Sequence, residues 1–276
     1  MYDSLEKIGS SLIHHGKGNN RIYLIKLDRN DVPGIIPELD SLAKENGYSK
    51  IITKIHADLL PVFQVNGYST EAYIPRFYNG KTDCVMVSKF TEEKRKKLPT
   101  GLMETFYNLF SLNGHNSLNS VPEGFQIRRL NEEDAKASSE ILKTVFETYP
   151  FPVYDPNYII DTMRSKAACY FGVWHEGSLV GVSTAETDFE GQNAEMTDFA
   201  VLPEFRGKKL AHHLLTFMED AIREEGIKTV YTIARLAEPG MNLTFMRSGY
   251  KFSGTLINNT NIAGSIESMN VFYKFL

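Results

Sequence analysis

Residues 195 to 211 read EMTDFAVLPEFRGKKLA and bring two kinds of chemistry together. Glu195 and Asp198 stand three apart on a strand-like run. A carboxylate there could take a proton from an amine. An alkylammonium with a pKa near 10.4 is about three units from deprotonation at neutral pH, so exposing its lone pair costs roughly 4 kcal/mol without a base. Side chains three apart on a strand tend to opposite faces, so only one of the pair is expected to reach a shared substrate. The second chemistry is anion capture, where Arg206, Gly207, Lys208 and Lys209 fill the turn before an amphipathic helix. The first N–H groups of a helix lack intrahelical acceptors and sit at the positive end of its dipole, so such a turn can cradle phosphate oxygens. Gly207 allows a tight bend. The plain alternatives are a half-exposed surface carboxylate and a solvated basic turn.

Bulk composition decides which of these can matter. The chain has 276 residues, enough for one large or two smaller domains with their own cores. Its net charge of −4 supplies no general attraction to nucleic acid or to an anionic membrane, so any anion must be caught locally. Cys84 and Cys169 give neither a disulfide framework nor metal-ligand spacing. No apolar run has signal-peptide or membrane-span character, and the chain reads as cytoplasmic. His212 and His213 have no paired ligands at helical spacing, so no metal is expected.

The elements that must position these residues fall in two segments. SLNGHNSLNSVPEG, Ser111 to Gly124, reads as a linker. It divides an N-terminal α/β domain, residues 1–118, from a second domain, residues 119–276. In the first, RIYLIKL, KIITKI, EAYIPRF and DCVMVSKF read as strands, while IIPELDSLAKENG and ADLLPVFQVNG read as helices. EEKRKK, from Glu92, reads as a solvated helix face, and this segment shows no chemistry of its own. In the second, Asn131 with Asp134, and Asp155 with Pro156, mark helix starts. AACYFGVW and SLVGVSTAET form a hairpin around HEG. Leu210, Leu214, Met218 and Ile222 lie on one side of the helix after the basic turn. FQVNGY at 63–68 and FMRSGY at 245–250 share Phe, Gly and Tyr at equal spacing, each before two strand-like runs. This suggests that the N-terminal segment is a degenerate copy of the later half of the C-terminal domain.

The order of elements from Gly124 to Leu276, with V-x-P-x-F-R-G-K-x-L-A at its centre, resembles the GNAT acetyltransferase superfamily. The resemblance implies an α/β (α+β) fold, a central mixed, mostly antiparallel sheet flanked by helices, here preceded by a partial GNAT-like domain. It also implies acetyl-CoA as cosubstrate. Arg206 and Ala211 match the superfamily's pyrophosphate loop, but Lys209 stands where the pattern has glycine, which is acceptable while its φ stays negative. The run from Gly254 to Leu276, with Gly240 to Asn242 and Thr148 to Pro156, is similar to the β-lysine N-acetyltransferase family. That family makes N-epsilon-acetyl-β-lysine, a compatible solute used in osmoprotection.

The resemblance further implies roles for single residues. Glu195 is the first choice of general base. Arg206, Gly207, Lys208, Lys209, Leu210 and Ala211 would hold the coenzyme's phosphates. Asn242 would lie along the pantetheine arm, and the backbone beside Ala200 and Val201 would polarise the thioester carbonyl. Phe245 occupies the usual position of a tyrosine acid, which leaves Tyr250 or Tyr273 as fallback donors or as packing aromatics. Asn258, Asn259, Glu267 and Asn270 would meet a zwitterionic diamine, with Arg128 and Tyr149 on the far wall. The asparagines also suit a polar hairpin tip. Rival functions are a protein, peptide or polyamine acetyltransferase and a non-catalytic acyl-CoA sensor. The N-terminal segment is expected to pack on the catalytic domain or to mediate a homodimer.

Overall fold

The computed structural model describes residues 3–112 and 120–276. The N-terminal half contains strands β1 (Ser4–Ile8), β2 (Ser11–Gly16) and β3 (Arg21–Lys26), helix α1 (Ile35–Asn46), β4 (Lys50–His56), α2 (Leu60–Val65), β5 (Ser69–Tyr78), β6 (Thr82–Phe90) and α3 (Leu102–Ser111). The C-terminal half contains β7 (Phe125–Arg129), α4 (Ala135–Val145), α5 (Pro156–Arg164), β8 (Ala168–His175), β9 (Ser178–Asp188), β10 (Asn193–Val201), α6 (Leu210–Glu224), β11 (Thr229–Arg235), α7 (Pro239–Arg247), β12 (Lys251–Ile262) and β13 (Ser265–Phe275).

All these strands join one sheet in the order β1-β2-β3-β4-β6-β5-β12-β13-β11-β10-β9-β8-β7. Parallel pairing occurs twice, at β3–β4 and β10–β11, and every other neighbouring pair is antiparallel. Counted outward from the β5–β12 seam, β5, β6, β4, β3, β2, β1 are matched by β12, β13, β11, β10, β9, β8. The helices follow the same order, α1 and α6 leading to the parallel partners and α2 and α7 following them. FQVNGY and FMRSGY end the turns after α2 and α7, at equivalent places. At the seam itself Gly254 pairs with Ala72. A Cβ on Gly254 would meet the Glu71 carbonyl oxygen at 2.0 Å, and its φ is +154°, so only glycine lets the two halves approach this closely.

Apolar periodicity explains the helices that back this sheet. Leu210, Leu214, Met218 and Ile222 on α6 are each at most 2% exposed and pack against Phe171, Met196 and Phe245. Each such side chain contributes about 1.5–3 kcal/mol on burial. The capping box of Asn131 and Asp134 forms, and Asp155 accepts from Asn157 N ahead of Pro156, as the sequence indicates.

Three expectations need correction. Strands β1 and β2 are present before the first expected strand; their polar residues obscure the alternation. EEKRKK is not a solvated helix face but a 3₁₀ turn over Glu93–Lys96, with Arg95 buried. Helix α3 runs into the expected linker as far as Ser111. The rest of that linker from 113 to 119, and with it the 118/119 boundary, lies outside the described residues. Among the described residues no helix is long and apolar enough to cross a membrane.

Candidate active site

Strands β10 and β11 are hydrogen-bonded only from Asn193 to Glu195 and then diverge, although both continue for several residues. Without a ladder partner on that side, the backbone of β10 beyond Glu195 can serve a ligand instead. The register of β10 against β9 shifts between Thr197 and Ala200, and Asp198 sits in the bulge with φ +57°. This conformation costs a non-glycine residue of order 1 kcal/mol, and such strain clusters at functional sites. It also changes which face Asp198 uses. Glu195 and Asp198 were expected on opposite faces, but the bulge turns both into the same cavity.

That cavity measures about 560 Å³ and lies in the opening between the strands. Its wall from β10 carries Glu195, Thr197, Asp198, Phe199 and Val201, and Phe245 of α7 stands across from Phe199 with rings 5.6 Å apart. Three carboxylates meet here. Glu186 of β9 is the direct cross-strand partner of Glu195, and both line the cavity with Asp198. Burial pushes the Glu195 carboxyl above the usual range, while Lys54 and a hydrogen bond from Tyr231 oppose that shift. Lys54 Nζ donates to Tyr231 Oη at 2.9 Å, so a chain of contacts links the N-terminal half to Glu195. Glu186 is pushed up to about 8 by the surrounding protein and by repulsion from Glu195 and Asp198, although its side chain remains open to the cavity. Asp198 is raised by burial, and Oδ1 accepts a hydrogen bond from the Tyr149 hydroxyl. Carboxylates raised in this way can hold an ammonium and accept its proton near neutral pH.

The basic turn lines the same cavity through Arg206, Gly207, Lys209, Leu210 and Ala211. No side chain caps the N-terminus of α6, so its first amides remain open to an anion. Gly207 has φ +81°. Lys209 departs from expectation, because it is the N-cap of α6 and adopts φ +58° and ψ +23° instead of a negative φ. The left-handed region is where the pattern's glycine would be at ease, and lysine occupies it at a cost of roughly 1 kcal/mol.

Several expected site residues lie elsewhere. Lys208 is exposed and off the cavity wall, and Ala200 is fully buried in the core behind β10. Asn242 lies in the first turn of α7, where its side chain donates to the carbonyls of Arg235 and Glu238 at 2.9 and 2.7 Å and accepts from Asn270. Both amides are buried staples, with Asn270 also bonded by Thr255. Tyr250 packs in the α6 core with its hydroxyl beside Glu219, away from the cavity. Arg128 lies on edge strand β7, bidentate to Asp134 at 2.9 Å and stacked over Trp174. Glu267 pairs with Arg235 at 2.6 Å. The Asn258 amide donates to the carbonyls of Arg95 and Lys97, tying β12 to the N-terminal half. Of the expected polar residues on the last two strands, the structure brings Asn259 to the cavity, with its Oδ1 buried and unpartnered, and the neighbouring Thr260 joins it there.

The opposite wall comes from the segment that showed no chemistry. Arg21, Tyr23 and Ile25 alternate along β3 and present one face of that strand to the cavity, with Lys54 of β4 beside them. The signal was present in the sequence. A lysine inside the apolar run KIITKI, and a glutamate near the end of SLVGVSTAET, are charges where a core strand has none.

Residues 135–245 match the Acetyltransferase (GNAT) family. The chain is 38% identical over 99% of its length to a Beta-lysine N(6)-acetyltransferase of Methanococcus maripaludis, covering 98% of that protein. It is 32% identical to N-acetyltransferase YodP of Bacillus subtilis, with full coverage of both. A Beta-lysine N(6)-acetyltransferase of Methanosarcina mazei is 30% identical over 86% of this chain and 95% of its own. The chain therefore belongs to the GNAT acetyltransferase family and is an acyltransferase. Two of these relatives are named as β-lysine N(6)-acetyltransferases, matching 99% and 86% of this chain.

Proposed function

We propose that the protein transfers the acetyl group of acetyl-CoA to the distal amine of a small diamino acid, β-lysine, giving N-epsilon-acetyl-β-lysine. The observation that carries this reading is one cavity with a carboxylate cluster on its floor and an uncapped, basic helix start at its rim. Two relatives named for this activity support the substrate. Accumulation of the product as a compatible solute, in the cytoplasm, belongs to the same reading.

The residues divide the work by position. The amides opening α6, with Arg206 and Lys209, would hold the diphosphate, and Gly207 leaves room for it. When bound, acetyl-CoA supplies a thioester carbonyl as electrophile and a thiolate as leaving group. The unpaired edge of β10 near Val201 would orient that carbonyl. Glu195 would take the ammonium proton, directly or through water, while Glu186 and Asp198 hold the amine in place. Phe245 has no proton to donate, and a thiol with a pKa near 8.5 leaves tolerably as the anion. Holding amine and thioester together removes much of the entropic barrier.

A protein or peptide substrate fits less well. The N-terminal half adds a wall with Arg21, Tyr23 and Lys54, whose two cations disfavour the basic chain that such an enzyme would take. Free-thiol release with acetyl-CoA and a panel of β-lysine, lysine, spermidine and basic peptides is the test. The fastest kcat/KM should belong to β-lysine; a strong preference for spermidine or a peptide would overturn the reading.

A further inference from the structure

We propose that Arg21 of the N-terminal half binds the carboxylate of the amino-acid substrate, making this half the part of the enzyme that selects amino acids over simple amines. The inference deepens the proposed function and rests on its amino-acid substrate.

Arg21 is 3% exposed and lines the cavity. Its Nη1 donates to the Asn259 carbonyl at 2.7 Å and to Thr260 Oγ1 at 3.0 Å, while Nε is buried without a partner. Tyr23 supports it from below, with the guanidinium 5.2 Å from the ring centre. Its contacts are thus neutral oxygens. Other buried cations of this half are treated differently. Lys50 has Glu71 at 2.7 Å, and Arg95 uses Nε, Nη1 and Nη2 to bond Asn258 O, Ser49 Oγ and Asn19 O. A buried guanidinium with an idle donor and no carboxylate bonded to it, Asp3 and Glu195 acting only by longer-range attraction, is costly unless a ligand completes it. The missing partner is an anion, and a guanidinium matches a carboxylate best.

The charges across the cavity agree. Glu186, Glu195 and Asp198 on β9 and β10 suit ammonium groups and Lys54 is already engaged with Glu195 through Tyr231, which leaves Arg21 on β3 for a carboxylate. A polyamine entering the same space would bring a second ammonium against the buried Arg21. A diamino acid held by its carboxylate at β3 points its far amine toward β10. This accounts for selection of the distal nitrogen.

The test compares each amino acid of a panel (β-lysine, lysine, ornithine) with its own carboxamide, for the intact enzyme and for Arg21→Gln. The wild type should prefer the acid, and Arg21→Gln should collapse the acid-to-amide ratio of kcat/KM by about 10- to 100-fold, the range expected for a hydrogen-bonded charge. Because Arg21→Gln could also disturb folding, Asn259→Asp serves as the second variant. Asn259 bonds Arg21 through its backbone carbonyl while its side chain lines the same cavity, so the substitution adds negative charge to the wall that would receive the carboxylate and should lower the same ratio about 10-fold, with thermal melting as the control. Equal losses for acid and amide in both variants would overturn the proposal, as would a wild type that favours the amides. If lysine or ornithine replaces β-lysine as the best substrate and the ratio still collapses, the anchor stands and the β-lysine reading falls. A wild type that takes only polyamines overturns both.

Discussion

Glu195 lies in a strand opening with a carboxylate directly opposite and a bulged carboxylate three residues on. Its raised pKa places the acid limb of kcat/KM above the ordinary glutamate range, because the base works only when ionised. Glu195→Gln should lower kcat/KM by about 10²–10⁴ and abolish that limb, while calorimetry shows coenzyme A still bound. Unchanged turnover would remove Glu195 from the mechanism, and a parent enzyme without turnover would favour a sensor. Glu186 gives a separate, stability-based test. Its folded pKa of about 8 exceeds the ordinary 4.5, so the native state binds the extra proton between these values and loses stability as pH rises through that window. Glu186→Gln should therefore raise Tm at pH 8 relative to wild type, by at most a few degrees because solvent in the cavity screens the repulsion, with a smaller effect at pH 5. The two glutamates differ in how readily sequence reveals them. Glu195 stands within the motif stretch, whereas Glu186 acquires its role only when β9 is registered against β10.

Among the elements, α6 and the strands feeding it were readable from periodicity, since leucine spacing fixes a buried face whatever its partner. Two features of the same region were not. The bulge at Asp198 depends on pairing with β9, so strict alternation put its side chain on the wrong face. The left-handed Lys209 shows that the loop keeps its shape without the expected glycine. If backbone amides do most of the holding, Lys209→Gly should change the calorimetric Kd for coenzyme A by less than about 10-fold, leaving Tm within a few degrees. A loss above 100-fold would instead assign the grip to the lysine side chain. The polar residues of β12 and β13 were legible as a cluster but not in purpose. Asn258, Glu267 and Asn270 each satisfy a different neighbour, the Arg95 carbonyl, the Arg235 guanidinium and the Asn242 amide, and nothing in their spacing separates a staple from a binding group.

At the level of the whole molecule, the mirrored strand order about the β5–β12 seam is the largest feature that sequence only hinted at, through FQVNGY and FMRSGY. We propose that the N-terminal half is a degenerate copy of the β8–β13 unit that lost its own chemistry and kept a wall of its sibling's cavity. Long-range pairing of this kind leaves little trace in local pattern, which is why β3 and β4 read as scaffold although Arg21 and Lys54 reach the cavity. The halves are fastened by Arg95, which bonds Ser49 and Asn19 within the N-terminal half and reaches across the seam to the Asn258 carbonyl. Arg95→Met should cost about 2–4 kcal/mol in chemical denaturation, since it orphans buried acceptors. A change below 0.5 kcal/mol would be the surface result expected of a solvated charge run.

The most direct measurement on the whole account is the structure of the product formed from acetyl-CoA and β-lysine, read by mass spectrometry and NMR. The account predicts one acetyl group, carried on the terminal nitrogen, with one equivalent of free thiol released. An acetyl group on the C3 amine, or no coenzyme-dependent product, would contradict it.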